Sequence, residues 1–222
     1  LFRSLTAADG FKLGAYVTKP KGDAHGGVVV IQEIFGVNHH IRAVVDGYAA
    51  AGYVAIAPQI FDRVERGVEL GYSEADVQRG AGLKAASGND KPLLDIAAAV
   101  AHVAAAGKVG IVGYCWGGLL TWRSACQLQG LSAAVPYYGG GVTTPEEVAR
   151  TPKVPVLAHF GERDHWIPLD SVQAFGKAHP EVEVHVYAAD HGFNCDQRGS
   201  YDEAAAMVAR DRTLAFFDRH LA

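Results

Sequence analysis

Apolar residues along the chain fall into two alternating kinds of run. Short continuous runs occupy residues 28–31, 53–57, 109–112, 133–138, 154–160 and 182–187. They are too short for buried helices, and the pattern predicts strands buried on both faces. Longer helix-compatible stretches lie among them at 41–51, 92–106, 119–128, 171–178 and 201–220. Gly52 closes the first of these as a C-cap and Gly107 ends the second. On the last, Met207, Leu214, Phe217 and Leu221 predict an apolar stripe facing the core. Residues 2–6 and 11–18 flank Ala8-Asp9-Gly10 and predict an antiparallel hairpin at a sheet edge. Residues 62–88 are polar, charged and partly helical, and predict an excursion on the surface. Strands alternating with helices imply right-handed crossovers and an α/β fold with a mostly parallel central sheet, helices on both faces. With no repeat or linker, residues 1–222 read as a single domain.

Composition narrows the class. The chain has 222 residues, 49% hydrophobic and 20% charged, with a formal net charge of −4. That balance gives no attraction for nucleic acid. No apolar run approaches the roughly 18 residues that span a bilayer, and no secretory or lipidation signal is visible in the sequence, which is read from Leu1. Three cysteines do not make a disulfide framework and fit a reducing cytoplasm. The ten histidines are scattered apart from His39-His40, and adjacent residues on a helix share no face, so neither a metal nor another cofactor is expected.

The richest chemistry lies at Gly113-Tyr114-Cys115-Trp116-Gly117-Gly118. A strand precedes it and a helix follows, which makes a nucleophile elbow of the Gly-x-nucleophile-x-Gly type. The glycines let a sharp, strained turn lift one side chain toward the N-terminus of the next helix, where free N–H groups favour a thiolate and later an oxyanion. The lifted residue is Cys115. A thiol of ordinary pKa is only about 3% ionised at neutral pH, so it needs a base, a helix dipole or both. His191, in a short loop after the last strand, is the candidate base. Asp164, in the loop after the preceding strand, is the candidate orienter of its imidazole. Glu162 and Asp190 compete for that role, but Asp190 adjoins His191 and their side chains diverge. Nucleophile, acid and base stand in the chain order of the α/β-hydrolases. Glu33, just after a buried strand, is placed to accept the thiol proton or to repel the thiolate. The backbone N–H groups of Ile34 and Trp116 are the candidate oxyanion hole. Phe35, Tyr138 and Phe193 predict a partly aromatic pocket.

The chain resembles the dienelactone hydrolase (carboxymethylenebutenolidase) family. The resemblance rests on Gln32-Glu33-Ile34-Phe35-Gly36-Val37-Asn38, the Cys115 elbow, Asp164-His165-Trp166-Ile167-Pro168 and His191-Gly192-Phe193, in family order over most of the chain. It implies an α/β-hydrolase fold, a Cys115–His191–Asp164 triad, and Glu33 as partner of the resting thiol. A small lactone or ester would be opened through an acyl-enzyme, without cofactor, by a monomer or small homo-oligomer with neither nucleic acid nor membrane as partner. Relatives that cleave carboxylated dienelactone hold its carboxylate with two arginines. Arg79 matches one. The other falls where this chain has Asn194-Cys195-Asp196, and Arg198 comes three residues later. Arg63 and Arg66 are further candidates. A Cys-elbow amidotransferase would carry an acid two residues after its histidine, where this chain has Phe193. The alternative reading is a hydrolase-like binding or sensing protein with little turnover.

Overall fold

The computed structural model describes residues 1–221. Eight strands form one sheet: β1 (Phe2–Thr6), β2 (Lys12–Thr18), β3 (Gly27–Ile31), β4 (Val54–Pro58), β5 (Val109–Tyr114), β6 (Ala133–Tyr137), β7 (Val156–Gly161) and β8 (Val182–Tyr187). Their order is β1-β2-β4-β3-β5-β6-β7-β8. β1 and β2 pair antiparallel, as the hairpin signal predicts, and β2 runs antiparallel to β4. From β4 to β8 every neighbouring pair is parallel. The strands from β3 to β7 read as continuous apolar runs because every residue of β3, β5, β6 and β7 is buried.

Seven helices connect and cover the strands: α1 (His39–Ala50), α2 (Glu74–Ser87), α3 (Lys91–Val103), α4 (Trp116–Gln127), α5 (Pro145–Val148), α6 (Leu169–Ala178) and α7 (Glu203–Leu221). α1 and α7 meet on one face, where Tyr48 packs against Phe217. α3, α4 and α6 share the other, with Trp122 of α4 edge-on to Phe175 of α6. The first helix ends at Ala50 with Ala51 as its C-cap, one residue before Gly52. The polar excursion holds a short 3-10 turn (Ile60–Arg63) and α2, which buries only Gly80, Leu83 and Ser87.

The stripe expected on α7 needs correction. Met207 is 59% exposed, and the buried face is Ala205, Ala206, Ala209, Thr213, Phe216, Phe217 and Leu221. Phe217 and Leu221 hold their expected places on the inner face, while small alanines take the place expected of Met207 and let the first turns lie close to the sheet.

A buried polar chain ties β6, β7, β8 and α7 together. Tyr137 Oη lies 2.6 Å from Thr213 Oγ1, and His159 spans from Thr213 Oγ1 (3.1 Å) to Tyr187 Oη (2.8 Å). Burial pushes the His159 pKa well below the ordinary 6.5 and holds the ring neutral. The strands it joins carry Tyr138, Asp164 and His191 beyond their carboxyl ends, where open α/β sheets place their sites. Among the described residues no helix is long and apolar enough to cross a membrane.

Candidate active site

β5 ends at Tyr114 and α4 begins at Trp116, so Cys115 alone makes the turn. Its backbone adopts φ 57° and ψ −117°. A non-glycine residue in such a conformation costs about 1–3 kcal/mol and persists only where its surroundings fix it. Here they do: the Cys115 N–H donates to Tyr137 O at 3.1 Å, and its carbonyl accepts from Gly118 N–H at 2.9 Å. A Cβ on Gly113 would collide with the Gly117 carbonyl, and one on Gly117 with the carbonyls of Ile31 and Gln32. The half-buried thiol therefore stands at the N-terminus of α4, whose first-turn N–H groups lack intrahelical acceptors. The Trp116 ring points elsewhere, stacked on Phe61 at 5.4 Å and bonded through Nε1 to Asn89 Oδ1 at 2.9 Å, which leaves only its backbone for the site.

His191 follows β8. Its Nδ1–H donates to Asp164 Oδ2 at 2.7 Å, and the imidazole also hydrogen-bonds Cys115. The other Asp164 oxygen, Oδ1, accepts the N–H groups of Trp166 (2.8 Å) and Ile167 (3.2 Å), which locks the carboxylate. Of the competing acids, Glu162 is exposed, and Asp190 bonds the backbone N–H of His191 rather than its ring. Tyr138, at φ 34°, sets its ring edge-on to His191 at 5.1 Å. Phe193 is wholly buried among Tyr137, Tyr138 and Tyr187, and backs the loop.

Burial favours the neutral imidazole of His191. The negative charge of Cys115 and the Asp164 hydrogen bond outweigh it and push the pKa up to about 10. Opposite a Cys115 thiolate the ring therefore stays cationic between its ordinary 6.5 and about 10, and the charge is lost as pH rises through the upper value. Nitrogen NMR of the imidazole is expected to show His191 losing its proton at a lower pH in Cys115→Ser, where no thiolate can face the ring, than in the wild type. Equal midpoints in the two proteins would show that no charge on Cys115 acts on the ring.

Glu33 is fully buried. Its Oε1 accepts a hydrogen bond from Arg198 Nη1 at 3.0 Å, and its Oε2 has no partner. The Arg198 guanidinium lies 5.7 Å from the centre of the Phe35 ring and 6.0 Å from that of Tyr72. It arrives there because the chain after His191 coils through successive tight turns. Gly192 at φ 80° leaves room, since a Cβ there would crowd the guanidinium. Burial opposes the charge on Arg198, but Glu33 and the negative potential of Tyr138 and Cys115 raise its pKa above the ordinary value.

The other arginines are engaged elsewhere. Arg63 is held by Asp95 and Asp9 over the Phe11 ring. Arg66 bonds the Lys12 carbonyl, so neither is free for a substrate. Arg79 lies on the outer face of α2, paired with the exposed Glu65. Its neighbour Gly80 packs against the Ile34 carbonyl, which ties α2 to the Glu33 loop. One participant escaped sequence reasoning, and a second was named there only as an arginine three residues late for the family's position. Tyr72 packs edge-on to Phe35 at 4.6 Å and accepts from Asn38 Nδ2 at 3.1 Å. Arg198 carries no motif of its own, and its distance from His191 is the only sign of it in the sequence.

A mostly parallel sheet with a strained nucleophile turn, and a histidine–carboxylate pair on neighbouring loops, defines an α/β-hydrolase. The dienelactone hydrolase family profile matches residues 13–221, and the chain belongs to that family, whose hydrolases act on lactones and esters. A carboxymethylenebutenolidase from Pseudomonas putida is 34% identical over 225 residues, covering 96% of this chain and 94% of that protein. A Synechocystis protein provisionally given the same name is 35% identical over 212 residues, 87% of this chain and 86% of its own. The crystal structure of a Klebsiella pneumoniae protein, provisionally assigned as a dienelactone hydrolase, superposes with a TM-score of 0.84 at 32% identity, covering 99% of both chains.

Proposed function

We propose that the protein is a cysteine hydrolase that opens a small lactone or activated ester bearing a carboxylate. The observation that carries this reading is the strained Cys115 turn beside an imidazole whose far nitrogen donates to Asp164 at 2.7 Å. Cys115 is the nucleophile, His191 the base and Asp164 the orienter.

In the resting protein Glu33 is neutralised by Arg198. A substrate carboxylate entering beside Phe35 competes for that guanidinium. Freed of its counter-charge, Glu33 becomes a stronger base and accepts the thiol proton. The thiolate attacks the carbonyl carbon, and the oxyanion takes hydrogen bonds from the N–H groups of Ile34 and Trp116. The C–O bond breaks, the ring opens as an enolate, and an acyl-enzyme remains. The enolate takes its proton from Glu33, and water, deprotonated by His191, then hydrolyses the thioester, the imidazolium returning its proton to the departing thiolate. Arg79 would have to leave Glu65 to reach the same anion. Tyr138 and Phe193 have no exposed surface for substrate and act by holding His191, while Phe35 holds the guanidinium. A working free thiol suits a reducing compartment, and the cytoplasm is the proposed location.

Hydrolysis of dienelactone isomers, followed by ultraviolet absorbance beside a neutral aryl ester, tests this reading. The carboxylated lactone is expected to show the higher kcat/KM. Turnover of the aryl ester alone would remove the anion-binding step and keep the thiol chemistry. Turnover of neither would favour the binding-protein alternative.

A further inference from the structure

Behind the Glu33–Arg198 pair lies a second cluster, which shares only Glu33 with the scheme above. Glu33 comes from the loop after β3, His40 from the first turn of α1 and Cys195 from the coil after β8. All three are buried, and one ligand-type atom from each lies within 4.8 Å of the others. We propose that Glu33, His40 and Cys195 bind a divalent transition-metal ion of the zinc class.

Three observations carry it. First, two donors are left unmet. Glu33 Oε2 and His40 Nε2 have no hydrogen-bond partner, although their side chains are only 1% and 5% exposed. An orphaned buried polar atom costs about 1–3 kcal/mol, so two of them on residues clustered with one buried thiol call for an occupant. Second, His40 is already prepared as a ligand. Its Nδ1 lies 3.1 Å from Asp196 Oδ1, which fixes the proton on Nδ1 and leaves the lone pair on Nε2. A carboxylate behind the histidine is the outer partner that metal-binding imidazoles ordinarily have. Third, a cavity of about 320 Å³ between α1 and α7 is lined by both His40 and Asp196 and gives solvent a way in.

The donor set chooses the ion. Thiolate, imidazole and carboxylate together suit zinc and its neighbours, whereas magnesium and calcium demand oxygen ligands. Three protein ligands leave a fourth tetrahedral position for water. Ligand bonds of about 2.0–2.3 Å set donors roughly 3.3–3.6 Å apart, so the side chains close by roughly 1 Å. Formation of the sulfur–metal bond breaks the S–H bond of Cys195, and that proton leaves to solvent with no change of oxidation state. Thiolate and carboxylate together carry two negative charges to match the dication, and Arg198 keeps its hold on Oε1. The adjacent His39-His40 pair contributes only His40, because His39 faces solvent.

Occupancy would fix Glu33 and withhold it from the Cys115 proton, so the metal would act as an inhibitor. This consequence rests on the proposed function, and the binding itself does not. The test is a Co²⁺ titration of the chelator-stripped full chain, read by the thiolate-to-cobalt charge-transfer band, with Zn²⁺ as competitor. The expected result is one equivalent bound, a band retained in Cys115→Ala and lost in Cys195→Ala, and affinity 10–100-fold weaker in Asp196→Asn. His40→Gln, with folding checked by circular dichroism, serves if Cys195→Ala does not fold. No band in the wild type, a band surviving in Cys195→Ala, or a band lost in Cys115→Ala would overturn the site. Co²⁺ binding at Cys195 with hydrolysis unchanged would uphold the site and overturn the role given to Glu33.

Discussion

Replacing Cys115 with alanine is expected to lower kcat by about 10⁴- to 10⁶-fold, the range seen when a hydrolase loses its nucleophile. Alanine keeps the Cβ that the turn at φ 57° already accommodates, so backbone strain and packing stay as they are. Only sulfur is removed, and with it the atom that the proposed acyl-enzyme needs. The measurement is steady-state hydrolysis of a lactone or aryl ester by the variant, with its melting temperature as control. Turnover within tenfold of wild type in a folded variant would mean that the carbonyl is attacked without Cys115. Neither Cys126 nor Cys195 offers a replacement, because both are buried and burial raises their thiol pKa values, to about 12 and about 11.

The second large effect is on stability. Arg198→Leu strands Glu33 as a fully buried carboxylate without its counter-charge. Breaking one side of a buried ion pair costs about 3–5 kcal/mol, whereas replacing both partners by neutral groups costs little. Urea unfolding is therefore expected to show a loss of that size in Arg198→Leu and recovery of most of it in Arg198→Leu combined with Glu33→Gln. Arg79→Leu is the contrast. Its partner Glu65 is exposed, and an exposed pair is worth about 1 kcal/mol or less. Equal losses for the two single variants would show that Glu33 is not held by Arg198.

The sheet could be read from the sequence because β3, β5, β6 and β7 are buried on both faces and leave unbroken apolar runs. The Cys115 turn was legible for a related reason: its glycines are demanded by backbone contacts within a few residues or between adjacent strands. Helix α2 was half-legible. It buries almost nothing and has little periodicity, although Ser73 and Asp76 form a capping box that marks its start. Arg198 was in view only as an arginine displaced from the family's position, and its partner was not. Its meeting with Glu33, 165 residues away in the chain, depends on a run of tight turns that no local pattern encodes. His40 was hidden by the same distance, since its partners Asp196 and Cys195 lie on the far side of the sequence. On α7 the error was one of size. Alanine, not methionine, is what fits against the sheet.

Gly110 has another meaning in the order of synthesis. A Cβ on this β5 residue would strike the Phe217 ring, so the middle of the sheet is shaped to receive the last helix. Strands β3 and β5, together with the cysteine turn, leave the ribosome long before residues 203–221. Until those residues emerge, one side of the central strands has no cover, and the Glu33 carboxylate waits until residue 198 for its cation. The growing chain thus carries the Cys115 turn before the helix that covers its sheet and before the cation that pairs with Glu33.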